Sequence, residues 1–175
     1  MRLRYKKYRI LLAAGAIAII AVIAWRWGRE MAREEMLAEL MRDASGYAAA
    51  FDAEEVGRLT GTHTDLESPE YAEIKRRLMR FRAIDSTVRF AYLFRQIPAS
   101  NGVIFLADSE PAESPEISLP GDIYEEALQS PGLQEILRTG RPTTEGPLSE
   151  EFGTWMTAYA GLATRPDGTR EVLGL

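Results

Sequence analysis

The feature that most constrains this chain is the run Ile10–Trp25, sixteen residues without a charged side chain. With Trp27 as a flank, residues 10–27 rise roughly 27 Å as a helix, close to the hydrocarbon thickness of a bilayer. Five of the first nine residues are basic (Arg2, Arg4, Lys6, Lys7 and Arg9), which places the N-terminus in the cytoplasm. Tyr5 and Tyr8 at one end, and Trp25 and Trp27 at the other, fit interfacial aromatic belts. The expected organisation is a basic cytoplasmic tail at 1–9, a transmembrane helix at 10–27 and an extracytoplasmic domain over 28–175. A cleavable signal peptide is the competing reading, since Val22-Ile23-Ala24 offers a cleavage site. No helix breaker follows the apolar run and the helical pattern continues past it, which favours an uncleaved anchor.

Charge separates along the chain. Seven of the 21 Lys and Arg precede the first acid, Glu30, which leaves 14 bases against 26 acids beyond it. So acidic a domain lacks the basic footprint that nucleic acid requires. The absence of cysteine rules out disulfides, cysteine-ligated zinc and thiol catalysis. With 46% hydrophobic and 27% charged residues, the remainder has the composition of a folded domain.

From Arg29 to Phe51 the pattern is helical: Leu37, Leu40, Ala44, Ala48 and Phe51 share one face. That stripe can pack on its own domain near Phe51 and on a twin helix near the membrane, which predicts a homodimer through the stalk helices. Asp52 reads as the N-cap of a short helix with Glu55 at the capping-box position, Val56 and Leu59 facing inward and Gly61 ending it. Ser68-Pro69 starts a further helix whose apolar face is Tyr71, Ile74, Leu78 and Phe81. Lys75, Arg76, Arg77, Arg80 and Arg82 are expected on its outer side.

Strand signals follow. Residues 88–95 alternate, with Val88, Phe90, Tyr92 and Phe94 on one face and Arg89, Ala91, Leu93 and Arg95 on the other. Asn101-Gly102 is a hairpin signal, and residues 103–108 form the return strand. Residues 121–128 and 130–137 read as two short helices, the second capped by Ser130-Pro131 and closed by Gly140. Residues 141–148 read as a broken edge strand, because proline cannot donate to a ladder. Residues 154–164 form a long strand, and 170–175 begin another. The fold class expected is α+β: a long N-terminal helix packed on an antiparallel, PAS-like sheet and preceded by one transmembrane helix.

The strings LTGTHTDLESPEY, FAYLFR, GVIFLADSE, LPGDIYEEAL and GPLSEEFGTWMTAYAGL, in that order, resemble the extracytoplasmic PAS-like sensor domains called Cache or PDC domains. Such domains form the outer parts of bacterial histidine kinases, diguanylate cyclases and chemoreceptors. Relatives carry a proline-containing segment where this chain has Ala160-Gly161-Leu162, and continue beyond the last strand into a second membrane helix, so the chain is expected to be a fragment truncated in that strand. The resemblance implies a sensor of an extracytoplasmic small molecule at the bacterial inner membrane, signalling to a cytoplasmic kinase or cyclase module beyond this chain.

It also implies a ligand site between the sheet and its covering loops and helices. Tyr92, Arg95, Asp108, Trp155, Thr157 and Tyr159 are the polar or amphipathic residues on those strands, and Trp155, Thr157 and Tyr159 share one face. Arg95 has the chemistry to hold a carboxylate and Asp108 to accept from an amine. Tyr71 and Arg76 lie on the helix that often covers such pockets. Amino-acid-binding relatives place an aromatic pair shortly after an arginine there, where this chain has Leu78 and Met79. For the aromatic residues, core packing is the competing reading.

Other features have two readings each. His63, the only histidine, is either part of a structural loop in which Asp65 makes a local side-chain-to-backbone turn, or a ligand contact or pH sensor. The stretch 96–137 has no Lys or Arg. Its acids form either a divalent-cation patch or a solvated acidic surface. No catalytic constellation, metal site or cofactor motif is evident. The rival functions are an anchored binding module without output, and an extracytoplasmic hydrolase using Asp108 or Glu150 and Glu151.

Overall fold

The computed structural model describes the backbone of residues 2–98, 100–150 and 153–175, and the side chains of 15–98, 100–148 and 153–175. The chain divides into two units, Met1–Ala38 and Glu39–Leu175. In the first, helix α1 (Arg2–Ala48) carries its apolar side chains in the open: Ile17, Ile20, Trp25 and Trp27 are all more than half exposed. Among the described residues no helix is long and apolar enough to cross a membrane. The first part of the expected span, 10–14, with the expected belt residues Tyr5 and Tyr8, lies outside the described side chains.

The second unit is α+β. The end of α1 is followed by α2 (Ala53–Gly57), a 3-10 turn (His63–Glu67) and α3 (Pro69–Ile84). Next come β1 (Tyr92–Gln96) and β2 (Val103–Asp108), a second 3-10 turn (Glu125–Gln129) and α4 (Pro131–Thr139). The last elements are β3 (Thr143–Glu150), β4 (Gly153–Thr164) and β5 (Arg170–Gly174). The five strands form one antiparallel sheet in the order β2-β1-β5-β4-β3. Residues 170–174 thus fill the centre of the sheet, paired with β1 on one side and β4 on the other.

Both faces are covered, and the period of two sorts the side chains between them. Leu93, Ala158 and Leu173 join Ala44, Ala48, Phe51, Ile74 and Leu78 in a core under the helices. Their neighbours Phe94, Tyr159 and Val172 join Leu133 and Ile136 of α4 in a second core. Each large apolar side chain so buried stabilises by about 1.5–3 kcal/mol. The expected stripe is buried at Ala44 and Ala48, but the helix ends at Ala48 and not at Phe51, which is buried from the turn that follows; Tyr47 adds a ring stacked on Phe81 at 4.3 Å.

The local signals are mostly obeyed. Asp52 accepts from Glu54 N and Glu55 N, Ser68 from Tyr71 N, and Ser130 from Leu133 N. Gly140 closes α4 at φ 74°. Residues 143–150 form the sheet edge, with a bulge at Gly146-Pro147 where proline has no amide to donate.

Several expectations are corrected. Residues 88–91 are not strand: a turn from Val88 N to Asp85 O interrupts the alternation, and Val88 packs in the same core as Leu93, not with Phe94. Residues 121–128 hold a 3-10 turn at their end instead of a helix. The short helix ends at Gly57 with Arg58 as its C-cap, while Gly61, at φ 72°, sits in the next loop where a Cβ would meet Ile104 Cδ1 at 2.7 Å. Lys75 is not on the outer side of α3: its side chain is 12% exposed and pairs with Asp108.

Candidate functional site

A cavity of about 270 Å³ lies on the α4 side of the sheet and runs along it. Its aromatic wall follows from the alternation that puts Tyr92 and Phe94 of β1, Phe105 of β2 and Tyr159 of β4 on that face. Tyr124, just before the second 3-10 turn, closes it from above, and Phe90 and Trp155 extend it. The rings form an almost continuous chain. Trp155 meets Phe90 edge-on at 6.2 Å, Phe90 stacks on Tyr92 at 5.6 Å, and Phe94 stacks on Tyr124 at 5.3 Å. Leu40, near the end of α1, also lines the space.

Glu145 of β3 is the buried charge in this wall, 8% exposed. Its Oε1 accepts from Ser130 Oγ at 2.7 Å and from Tyr159 OH at 2.8 Å, and its Oε2 from Gly132 N at 2.8 Å. The carboxylate therefore sits at the N-terminal end of α4, where backbone amides and the helix dipole favour a negative charge. Burial, aided by the Glu145 charge and opposed by the Ser130 hydrogen bond, pushes the Tyr159 phenol far above its ordinary value, so it remains a donor. Burial, with the charge of Asp108, does the same for Tyr92.

The residues expected at a ligand site divide into two groups. Tyr92, Trp155, Thr157 and Tyr159 line the cavity together. Arg95 lies elsewhere, buried beneath α2, with Nη1 donating to Leu59 O at 2.6 Å and Nη2 to Val56 O at 3.0 Å. Its remaining donors meet Glu171, so no free fork is left for a carboxylate. Asp108 is fully buried and accepts from Lys75 Nζ at 2.8 Å and Ser118 N at 2.7 Å. Tyr71 is buried on α3, its phenol pushed up to about 12 by burial and by Asp108. Arg76 is exposed and pairs with Glu73.

The opening loop is built around Asp65, which is 3% exposed. It accepts from Thr60 N at 2.9 Å, Thr60 Oγ1 at 2.8 Å and Gly61 N at 2.7 Å. His63 stays exposed, with Nε2 3.6 Å from Asp122 Oδ1. Some acids of the 96–137 stretch find bases outside it: Glu110 pairs with Arg82 and Arg89, and Glu116 with Arg89. Among the described residues no group of three or more His, Cys, Asp or Glu is placed to hold a metal ion. Of the carboxylates considered for hydrolysis, Asp108 is tied to Lys75, and the Glu150 side chain and Glu151 lie outside the described residues.

Sequence reasoning passed over Glu145, Phe90, Phe105 and Tyr124. Glu145 carried one signal: it is the only charged residue between Arg141 and Glu150, in a stretch already read as strand.

No family model matches the chain, and no curated protein or solved structure matches it at a significant level.

Proposed function

We propose that this chain is the ligand-binding part of a membrane-anchored sensor of the PAS-like kind. It binds a small molecule outside the inner membrane of a bacterium. It passes the event through α1, paired with its twin in a homodimer, to an output module that the chain does not include. The observation that carries this reading is the aromatic-walled cavity of about 270 Å³ with one buried carboxylate. It is concave, mostly apolar and equipped with few polar groups, the usual character of a small-molecule site, and just below the usual size range of about 300–1,000 Å³. Leu40 in its wall belongs to α1, so a ligand has a direct contact with the helix it must bias. It acts only through unequal affinity for two positions of that helix. The open apolar side chains from Ile17 to Trp27 support the anchor, since a helix apolar all round is at home in lipid.

The test is a thermal-shift screen of the full chain in detergent micelles against a chemically diverse panel of small metabolites. A saturable rise in Tm with at least one compound supports the reading, and none across the panel overturns it. Because the chain has no cysteine, a single Glu34→Cys variant then reports on transmission. Disulfide cross-linking between two copies should change in yield when the ligand is added, and an unchanged yield would leave only a binding module.

A further inference from the structure

We propose that the cavity selects a small organic cation carrying an oxygen acceptor, an ammonium alcohol in chemical class, and rejects carboxylates; this rests on the ligand-binding reading above. The electrostatics of the wall decide it. Glu145 is 8% exposed, yet among the described residues its partners are all neutral: two hydroxyls and one backbone amide. Two of these fall on Oε1 and one on Oε2, and an ionised carboxylate has about four acceptor positions, so Oε2 keeps one open. Among the described residues no basic side chain pairs with Glu145. Arg89 is the one basic residue in the wall, and it is committed to Glu110 at 3.0 Å and Glu116 at 2.9 Å. Glu126, exposed at the rim, adds a second negative charge.

The rings complete the selection. A cation over the face of tryptophan or tyrosine is attracted by the ring quadrupole, most strongly when both are withdrawn from water. Here Tyr92, Tyr124 and Trp155 surround the space that Glu145 polarises, while Phe90 already carries the Arg89 guanidinium at 4.2 Å. Trp155 Nε1 is buried and has no hydrogen-bond partner; an oxygen on the occupant answers that donor. Among the described residues that line the wall, a carboxylate ligand would find no free guanidinium. Arg95 is held by Glu171 beneath α2, and Arg76 by Glu73 at the surface. It would also face the charge of Glu145.

The test measures binding to the full chain in a nonionic detergent by calorimetry, with three probes: choline, its uncharged carbon isostere 3,3-dimethyl-1-butanol, and acetate. Choline should bind about tenfold or more tightly than the isostere, and acetate not measurably. Glu145→Gln should erase the preference for choline over the isostere. Glu126→Gln, at an exposed position, should weaken choline by about two- to threefold. The wild-type comparison stands by itself if Glu145→Gln does not fold. Equal affinity for choline and the isostere, or tighter binding of acetate, overturns the cation assignment and leaves the ligand-binding reading intact. If none of the three binds, the cation assignment is overturned; if the wider panel is also silent, the ligand-binding reading falls with it.

Discussion

Arg95 on β1 stands directly opposite Glu171 on β5, and its Nε and Nη2 both reach Oε1, at 2.9 and 2.6 Å. The side chains are 10% and 1% exposed. The same guanidinium donates to the Val56 and Leu59 carbonyls, at and just past the end of α2, where Val56 O also accepts from Leu59 N. One arginine thus fastens the sheet to α2 and neutralises a buried acid. An arginine on a strand of a sensor-like sheet looks like a ligand clamp in sequence; in the fold it is spent on the protein itself.

Removing it should expose that role. Among the described residues Arg95→Met leaves Glu171 with Arg165 alone, at 3.2 Å, and strips Leu59 O of its donor, while Val56 O keeps Leu59 N. Breaking a buried pair from one side costs about 3–5 kcal/mol. The double variant Arg95→Met/Glu171→Leu should recover a large part of that loss, because no uncompensated charge remains. Urea denaturation of the single and double variants measures both. Equal stability of Arg95→Met and wild type would show that the pair holds nothing.

Asp65 predicts a pH dependence. Burial alone would raise its pKa, but hydrogen bonds from Thr60, Gly61 and Thr62 outweigh it and hold it below the ordinary 3.8. A depressed folded pKa contributes stability that is complete above the unfolded value and disappears as pH falls through the folded one. Asp65→Asn should therefore cost about 1–3 kcal/mol at neutral pH, since an amide cannot accept from all these donors. The cost should shrink as pH falls below the ordinary 3.8 and on through the lower folded value. Denaturation midpoints measured from pH 7 down to 2.5 would show the two curves converging; parallel curves would refute the assignment.

Gly140 and Gly168 separate backbone strain from crowding. Both have positive φ, 74° and 85°. An alanine at 168 meets nothing within 4 Å, whereas at 140 its Cβ would lie 2.5 Å from Arg170 Nη1. Arg170 Nε holds the Leu137 carbonyl at the end of α4 at 2.9 Å. Gly168→Ala should cost about 1–2 kcal/mol from backbone strain alone. Gly140→Ala should cost about 1 kcal/mol more, through the displaced hydrogen bond. Equal losses by thermal denaturation would mean that Arg170 yields freely.

What the sequence made legible follows from the range of the forces involved. The caps at Asp52, Ser68 and Ser130 and the stripe Tyr71, Ile74, Leu78 and Phe81 depend on neighbours within four residues, and they stand where expected. The two-sided burial of the sheet was not read from the sequence, which placed a helix across one face; the adjacent pairs Leu93-Phe94 and Val172-Leu173 divide between the two cores. The partners of Arg95, Lys75 and Glu145 were not legible. They come from strands and helices up to 76 positions away, and only the insertion of β5 between β1 and β4 brings Glu171 to Arg95. Period two fixed the face of Trp155, Thr157 and Tyr159. It failed at Val88 because a turn, not a strand, holds that residue.

Thr157 offers the sharpest control on where a ligand acts. It lies on β4 opposite Glu145 and lines the cavity without being fully buried. A phenylalanine there has the cavity to grow into, so its overpacking cost should stay at or below about 1–3 kcal/mol. It would occupy the space that the rings and Glu145 enclose. A compound present at a hundred times its Kd stabilises the wild-type chain by about 2.7 kcal/mol through mass action, a rise in Tm of several degrees for a unit of this size. In Thr157→Phe that rise should vanish while the circular dichroism spectrum is retained. A compound that still raises Tm by the wild-type amount binds somewhere other than the cavity, and the candidate site would have to be abandoned.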